Sequence, residues 1–165
     1  MKYLIFVAAC VLSLQLWGQR ETTLNSTSEK DHLSFAMVEK VPLTLDCVAH
    51  ENSPVEEQQA CFNESVVKFV SSNYNYPIKA RSSGLTAKIF VNFIVETDGS
   101  ISNVEILKGA ASKYKNGSKK VRERAQLMDD EAVRVVKLIK IAAPGRQRGT
   151  PVRVQYAMPI NLTLS

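Results

Sequence analysis

The apolar positions of the chain switch period along its length, and each period names an element. Phe62, Val66, Phe69 and Val70, with Asn73 beside them, fall on one face of a helix. Its start is signalled by "SPVEEQQ", where Ser53 is placed to cap, Pro54 suits the first helical position and Glu56 completes a capping box. Pro77 in "YNYP" ends it by disfavouring a helical residue ahead of it. Ile89, Val91, Phe93 and Val95 then alternate on one face of a strand, and Asp98-Gly99 predicts a hairpin turn. Val104 and Ile106 keep period two on the return strand; Ile101 is out of phase with them, which predicts a bulge near the turn. A second helix is predicted from about Asp129 to Ile139. Asp129 or Asp130 would cap it, Glu131 suits the positive end of its dipole, and Ala132, Val135, Val136 and Ile139 form its buried stripe. After "PGRQRG" a last strand alternates through Val152, Val154, Tyr156, Met158, Ile160 and Leu162. Pro159 lacks a donor inside that run, so the strand is predicted to lie at a sheet edge or to bulge there. The order predicts an α+β fold, two helices packed on one face of a three-stranded antiparallel sheet.

The ends of the chain read differently. Residues 1–18 carry Lys2 and then an apolar run from Tyr3 to Leu16, interrupted by Ser13 and Gln15, with small Gly18 at a plausible cut site. The run is shorter than the roughly 20 residues a spanning helix needs, so it is read as a signal peptide. An uncleaved anchor and a lipoprotein box at "VAAC", with lipid on Cys10, are the alternatives. Residues 19–40 are rich in Ser, Thr, Glu and Lys and are read as a flexible tether, leaving 41–165 as the folded domain. A hydrophobic fraction of 45% and a charged fraction of 22% fit one soluble domain.

The formal charge of +5 is concentrated between residues 108 and 124, where Lys108, Lys113, Lys115, Lys119, Lys120, Arg122 and Arg124 face one acid, Glu123. Export and the single aromatic Tyr114 argue against nucleic acid as a partner. A solvated basic loop is the plainer reading, with contact to anionic envelope polymers the alternative.

Once a leader is removed, Cys47 and Cys61 remain, and in an exported chain an even pair reads most simply as a disulfide. Closing a loop of about 15 residues contributes about 3 kcal/mol in the chain-entropy picture. Zinc is the other reading, since His50 stands three residues after Cys47, but His32 is then the only remaining histidine for a fourth ligand. No serine or carboxylate pattern accompanies either histidine, and neither a phosphate loop nor an HExxH motif occurs. Asp129 and Asp130 are better explained by helix capping than by acid–base chemistry. The sequence therefore predicts no catalytic residues, no cofactor and no metal.

Taken in order, "YP", Ala80, Gly84, "VNFIVETDGSISNVEIL", "DDEAVRVVK" and "PGRQRGTPVRVQYAMPINLTL" resemble the C-terminal domain of the TonB energy-transducer family, over roughly residues 65–164. "DC" at Cys47 and "ACF" at Cys61 are also similar to a cysteine pair ahead of this domain in some bacterial relatives. The resemblance implies a periplasmic protein-binding module. By analogy with the family, Val152, Arg153, Val154, Gln155, Tyr156, Ala157, Met158, Ile160 and Leu162 form an edge that takes the N-terminal peptide of an outer-membrane transporter by β-strand addition. No nucleic acid and no stable membrane anchor is implied. The chain departs from the family in two ways: its six prolines are dispersed instead of forming a Pro-rich spacer, and Ala142 stands where the family has an aromatic, two residues before "PG". The alternative is a secreted scaffold, or a domain whose edge pairs with a second copy to make a homodimer, with no role in transport.

Overall fold

The computed structural model describes residues 31–164; the predicted signal peptide and residues 19–30 of the predicted tether lie outside them. The described chain runs β1 (Leu33–Ser34), β2 (Leu43–Thr44), a 3₁₀ stretch (Leu45–His50), α1 (Val55–Asn73), α2 (Ile78–Arg81), β3 (Ala87–Val95) and β4 (Ile101–Lys108). It continues through α3 (Ala110–Lys113), α4 (Lys119–Val136), β5 (Ile141–Ala143), β6 (Arg146–Gln147), β7 (Thr150–Pro151) and β8 (Val154–Leu162).

The main sheet has the order β1-β8-β3-β4. Its three long strands are antiparallel, β3 pairing with β8 from Ala87↔Leu162 to Val95↔Val154 and with β4 on its other side. This is the predicted antiparallel sheet, extended by the short β1, which runs parallel to β8. Ile89, Val91, Phe93 and Val95 are all fully buried, as their alternation predicts. They meet Phe62, Val66 and Val70 of α1, and Met128, Ala132, Val135 and Val136 of α4, in one apolar cluster. Burying each large side chain there contributes about 1.5–3 kcal/mol, so the two helices are held on one face of the sheet by apolar area.

The hairpin forms as predicted, and the bulge is found on β4. Gly99 adopts φ +83°, its N–H donates to the Glu96 carbonyl at 3.0 Å, and the Ser100 N–H donates to Asp98 Oδ1 at 2.8 Å. Pairing then jumps from Ile94↔Ser102 to Asn92↔Glu105, with Asn103 at φ +47° as the extra residue. That insertion lets Ile101 and Val104 both face the core despite their odd spacing.

Both helix starts depart from the prediction. Ser53 makes no capping bond and Pro54 is the N-cap of α1; instead Gln58 Nε2 donates to the carbonyls of Glu51 and Ser53 at 3.1 and 2.9 Å and holds the entry turn. The second long helix, α4, begins ten residues before Asp129, at a Ser118 cap that accepts from the Val121 N–H. The predicted basic loop 108–124 is therefore α3, a turn and the first turns of α4. Its cations lie on the outward side while Ala125 and Met128 extend the buried stripe.

Asp129 caps a helix, but not its own. It lies in the middle of α4, 4% exposed, and its two carboxylate oxygens accept from the N–H groups of Ala110 and Ala111 at 2.7 and 2.9 Å, closing the start of α3. Burial pushes its carboxyl above the ordinary range, opposed by those two backbone bonds. The approach is so close that a Cβ on Gly109 would come within 2.3 Å of Asp129 Oδ2.

The segment read as the end of the tether is part of the domain. Residues 31–40 lie along the sheet: β1 pairs with β8, Phe35 packs against Phe62 and Tyr156, and Val38 is buried with Val41, Leu43 and Cys47 in a second small cluster. Apolar side chains in a polar stretch anchor it where composition alone predicts a free coil. Cys47 and Cys61 are joined in a disulfide, Cα–Cα 5.9 Å, tying the 3₁₀ stretch to α1. Both thiols that a zinc site needs are thereby used. Cys61→Ser is expected to lower unfolding stability by about 2–4 kcal/mol; an unchanged urea midpoint in the variant would show that the crosslink constrains nothing. Ala142, where the resemblance implies an aromatic, is exposed on β5, outside the core.

The outer edge of the last strand as the candidate functional site

Two observations decide which side of β8 is available. The Leu33 N–H donates to the Arg153 carbonyl at 2.8 Å and the Phe35 N–H to the Gln155 carbonyl at 3.0 Å. Odd-numbered residues of this strand thus turn their backbone groups away from β3, and even-numbered ones turn theirs into the ladder with it. Side chains follow the same parity: Val154, Tyr156, Met158, Ile160 and Leu162 are buried, while Ala157, Pro159 and Asn161 are exposed. Pro159 sits opposite Phe90 with no break in register. Its missing N–H falls on the outer side, so the inner ladder loses nothing, and the predicted bulge is absent.

The outer edge has two halves. The first is occupied by β1. Beyond Phe35 the pairing stops, because the Phe35 carbonyl accepts from Gln59 Nε2 at 3.4 Å. From Ala157 onward no described residue pairs with the outer edge, which borders a cavity of about 310 Å³ between β8 and α1, whose lining includes Val67, Tyr74, Tyr76, Pro159 and Asn161. The last strand is therefore an edge strand over its second half only. The opposite edge of the sheet, β4, is broken by Asn103 and by a second shift near Leu107. Such irregularities blunt an edge against strand addition. Over its open half β8 has no such break in register.

Charge gathers where the occupied half begins. Arg153 grips Glu96 through two bonds, Nε to Oε2 at 2.7 Å and Nη2 to Oε1 at 2.9 Å, and reaches Asp31 Oδ2 with Nη1 at 2.5 Å. The Arg153 hydrogen bonds, followed by one from Ser102, hold the Glu96 carboxyl below the ordinary carboxylate range. The same carboxylates, Glu96 first and Asp31 second, push the Arg153 guanidinium further up. Beside them His32 Nε2 meets Gln155 Oε1 at 3.0 Å, and Gln155 Nε2 donates to Asn92 Oδ1 at 2.9 Å. Tyr156, pushed up to about 12 by burial, donates from its hydroxyl to Asn63 Oδ1 at 2.7 Å.

The depressed Glu96 carboxyl sets a pH dependence. A carboxyl whose folded pKa is lowered adds stability that is complete above its unfolded value and is lost as pH falls through its folded one. Glu96→Gln should therefore be less stable than the parent near pH 7, with the gap closing below about pH 4. Urea midpoints taken from pH 7 to pH 3 check this; a gap that widens on acidification contradicts it.

Of the residues the sequence assigns to the edge, only Ala157 is outward-facing and open. Arg153 and Gln155 face outward but are engaged by β1. The five even-numbered residues turn their backbones inward, and Val152 precedes the strand, its N–H donating to the Gly145 carbonyl at 2.9 Å. Sequence reasoning missed Pro159 and Asn161 on the open half, and Asp31, Leu33 and Phe35 on the occupied half. The apolar pair Leu33 and Phe35, two residues apart in "DHLSF", is the one signal that was there to find.

Comparison with known families gives a direct match: residues 72–114 fit the family described as Gram-negative bacterial TonB protein C-terminal. Over those residues the chain is similar to the TonB C-terminal family. The family is a periplasmic, non-enzymatic one, involved in energy transduction for outer-membrane transport and interacting with outer-membrane transporters. The matched stretch runs from the end of α1 through α3 and includes β3 and β4, so β8 lies outside it. Among solved structures the chain is similar to the NMR solution structure of the Helicobacter pylori TonB C-terminal domain, residues 179–285. That likeness has 18% identity and a TM-score of 0.37, covering 74% of this chain and 96% of that one. A shorter form of the same domain, residues 194–285, gives 17% identity and a TM-score of 0.32, with 62% and 95% covered. No curated protein matches the chain. Among the described residues no helix is long and apolar enough to cross a membrane, and no group of three or more His, Cys, Asp or Glu side chains is placed to hold a metal ion.

Proposed function

We propose that this chain is a TonB C-terminal family member and a periplasmic protein-binding module that takes an extended N-terminal peptide of an outer-membrane transporter onto the outer edge of β8. The observation that carries the reading is the open half of that edge. Ala157 and Asn161 present outward backbone donors and acceptors, Pro159 adds a carbonyl, and the cavity beside them has apolar walls for alternate side chains of a bound strand. Main-chain pairing supplies affinity, and the cavity beside the open half would add selectivity for alternate side chains.

A photo-crosslinking residue in place of Ala157 tests this in cells. The expected product joins the domain to the N-terminal segment of an outer-membrane transporter, identified by peptide mapping, and the same residue in place of buried Tyr156 gives none. Products joining only two copies of this chain would instead establish a homodimer edge and overturn the transport reading.

A further inference from the structure

The half of the edge that β1 occupies shows what this edge selects. We infer that residues 31–35 are a built-in copy of the edge's ligand: an extended segment parallel to β8, carrying a carboxylate at its first position and an aromatic ring at its fifth. The inference rests on the proposed role of the β8 edge and adds the chemistry of its partner and the competitor that partner must displace.

Each contact of the segment is of a kind that a separate peptide makes. Two main-chain bonds, from Leu33 and Phe35 to the carbonyls of Arg153 and Gln155, set the parallel direction. Asp31 supplies a carboxylate to Arg153, which Glu96 holds in place from the other side, so the guanidinium is oriented before any ligand arrives. Phe35 completes an aromatic triangle, its ring centroid 5.1 Å from Phe62 and 4.8 Å from Tyr156, themselves 5.1 Å apart. Backbone, charge and aromatic slot thus read three independent features spaced over five residues. Pairing of β1 with β8 is confined to two residues, and Asp31 is largely exposed. A short ladder of this kind opens at small cost. While attached it competes as an intramolecular strand, at an effective concentration in the millimolar range.

The test uses the full chain with Leu33→Pro, which deletes the N–H that pairs with Arg153, and a labelled peptide of residues 29–37 as the probe. The peptide is expected to bind the folded variant at least about tenfold more tightly than it binds the parent, where the attached copy wins. In the variant the Gln155 amide should exchange fast alone and slowly with peptide. Replacing Asp by Asn at the first position, or Phe by Ala at the fifth, should each weaken the peptide about fivefold or more. Should Leu33→Pro not fold, Asp31→Arg serves instead: it alters an exposed side chain, leaves the core intact and is expected to raise peptide affinity about threefold. Equal affinity for parent and variant overturns the competition, and a scrambled peptide that binds as well overturns the selectivity. Binding to neither protein overturns the inference as a whole. It leaves the transporter reading to the crosslink at Ala157, on the half that β1 does not cover.

Discussion

Ala157→Pro is expected to leave the domain folded and to weaken capture of an extended peptide by roughly tenfold to a hundredfold, while Tyr156→Pro is expected to unfold it. The contrast follows from parity. The Ala157 N–H points to the open edge, where Pro159 already shows that an imide is tolerated without any shift of register. Removing it leaves a peptide carbonyl unpaired at the centre of the new ladder, at a cost of about 1–3 kcal/mol. The Tyr156 N–H lies in the ladder opposite Phe93, and its side chain sits in the core. Proline there breaks a central pairing and loses a packed ring at once. Circular dichroism establishes the folding of each variant, and calorimetric titration with transporter N-terminal peptides measures the affinity. A folded Ala157→Pro protein with parental affinity would remove the open half of β8 from the account.

Phe62→Ala is expected to cost about 3–5 kcal/mol of unfolding free energy, a large share of the roughly 5–15 kcal/mol that a domain holds. Phe62 is fully buried and packs against both Phe35 and Tyr156, so its loss removes one corner of the aromatic triangle and leaves a cavity in the core. Because Phe35 then has one ring to pack on instead of two, β1 should loosen before the rest of the domain. Denaturant unfolding gives the total, and hydrogen exchange at the Gln155 amide reports the local effect. A loss below about 1 kcal/mol would mean that the neighbours collapse into the space and that the triangle contributes little.

The long-period features were legible in the residues. The alternation from Ile89 to Val95 and from Val154 to Leu162 specifies two strands, each with one buried face, and Asp98-Gly99 specifies the turn before β4. What alternation does not specify is the direction of backbone groups along a strand's two sides. Val154 and Gln155 looked equally available until a neighbouring strand defined the outer edge. β1 was illegible because two residues are too few to show a period, and the polar sequence around Leu33 and Phe35 has the composition of a tether. Asp129 was read as a cap from its type, correctly in kind, but its partners stand 18 and 19 residues earlier and only tertiary packing brings them together. The first turns of α4 were hidden by their lysines and arginines, since the buried stripe there begins with small Ala125 instead of a large apolar residue.

The most direct test of the β8 edge is amide chemical-shift mapping of the isotopically labelled domain during titration with an N-terminal peptide from an outer-membrane transporter. The account predicts that shifts and exchange protection appear at the outward amides of Ala157 and Asn161, then shifts at Gln155, already protected by β1, as the peptide replaces that strand, with the inward amides of Tyr156, Met158 and Ile160 changing little. Protection appearing along β4 instead, with the β8 amides unmoved at saturation, would contradict it.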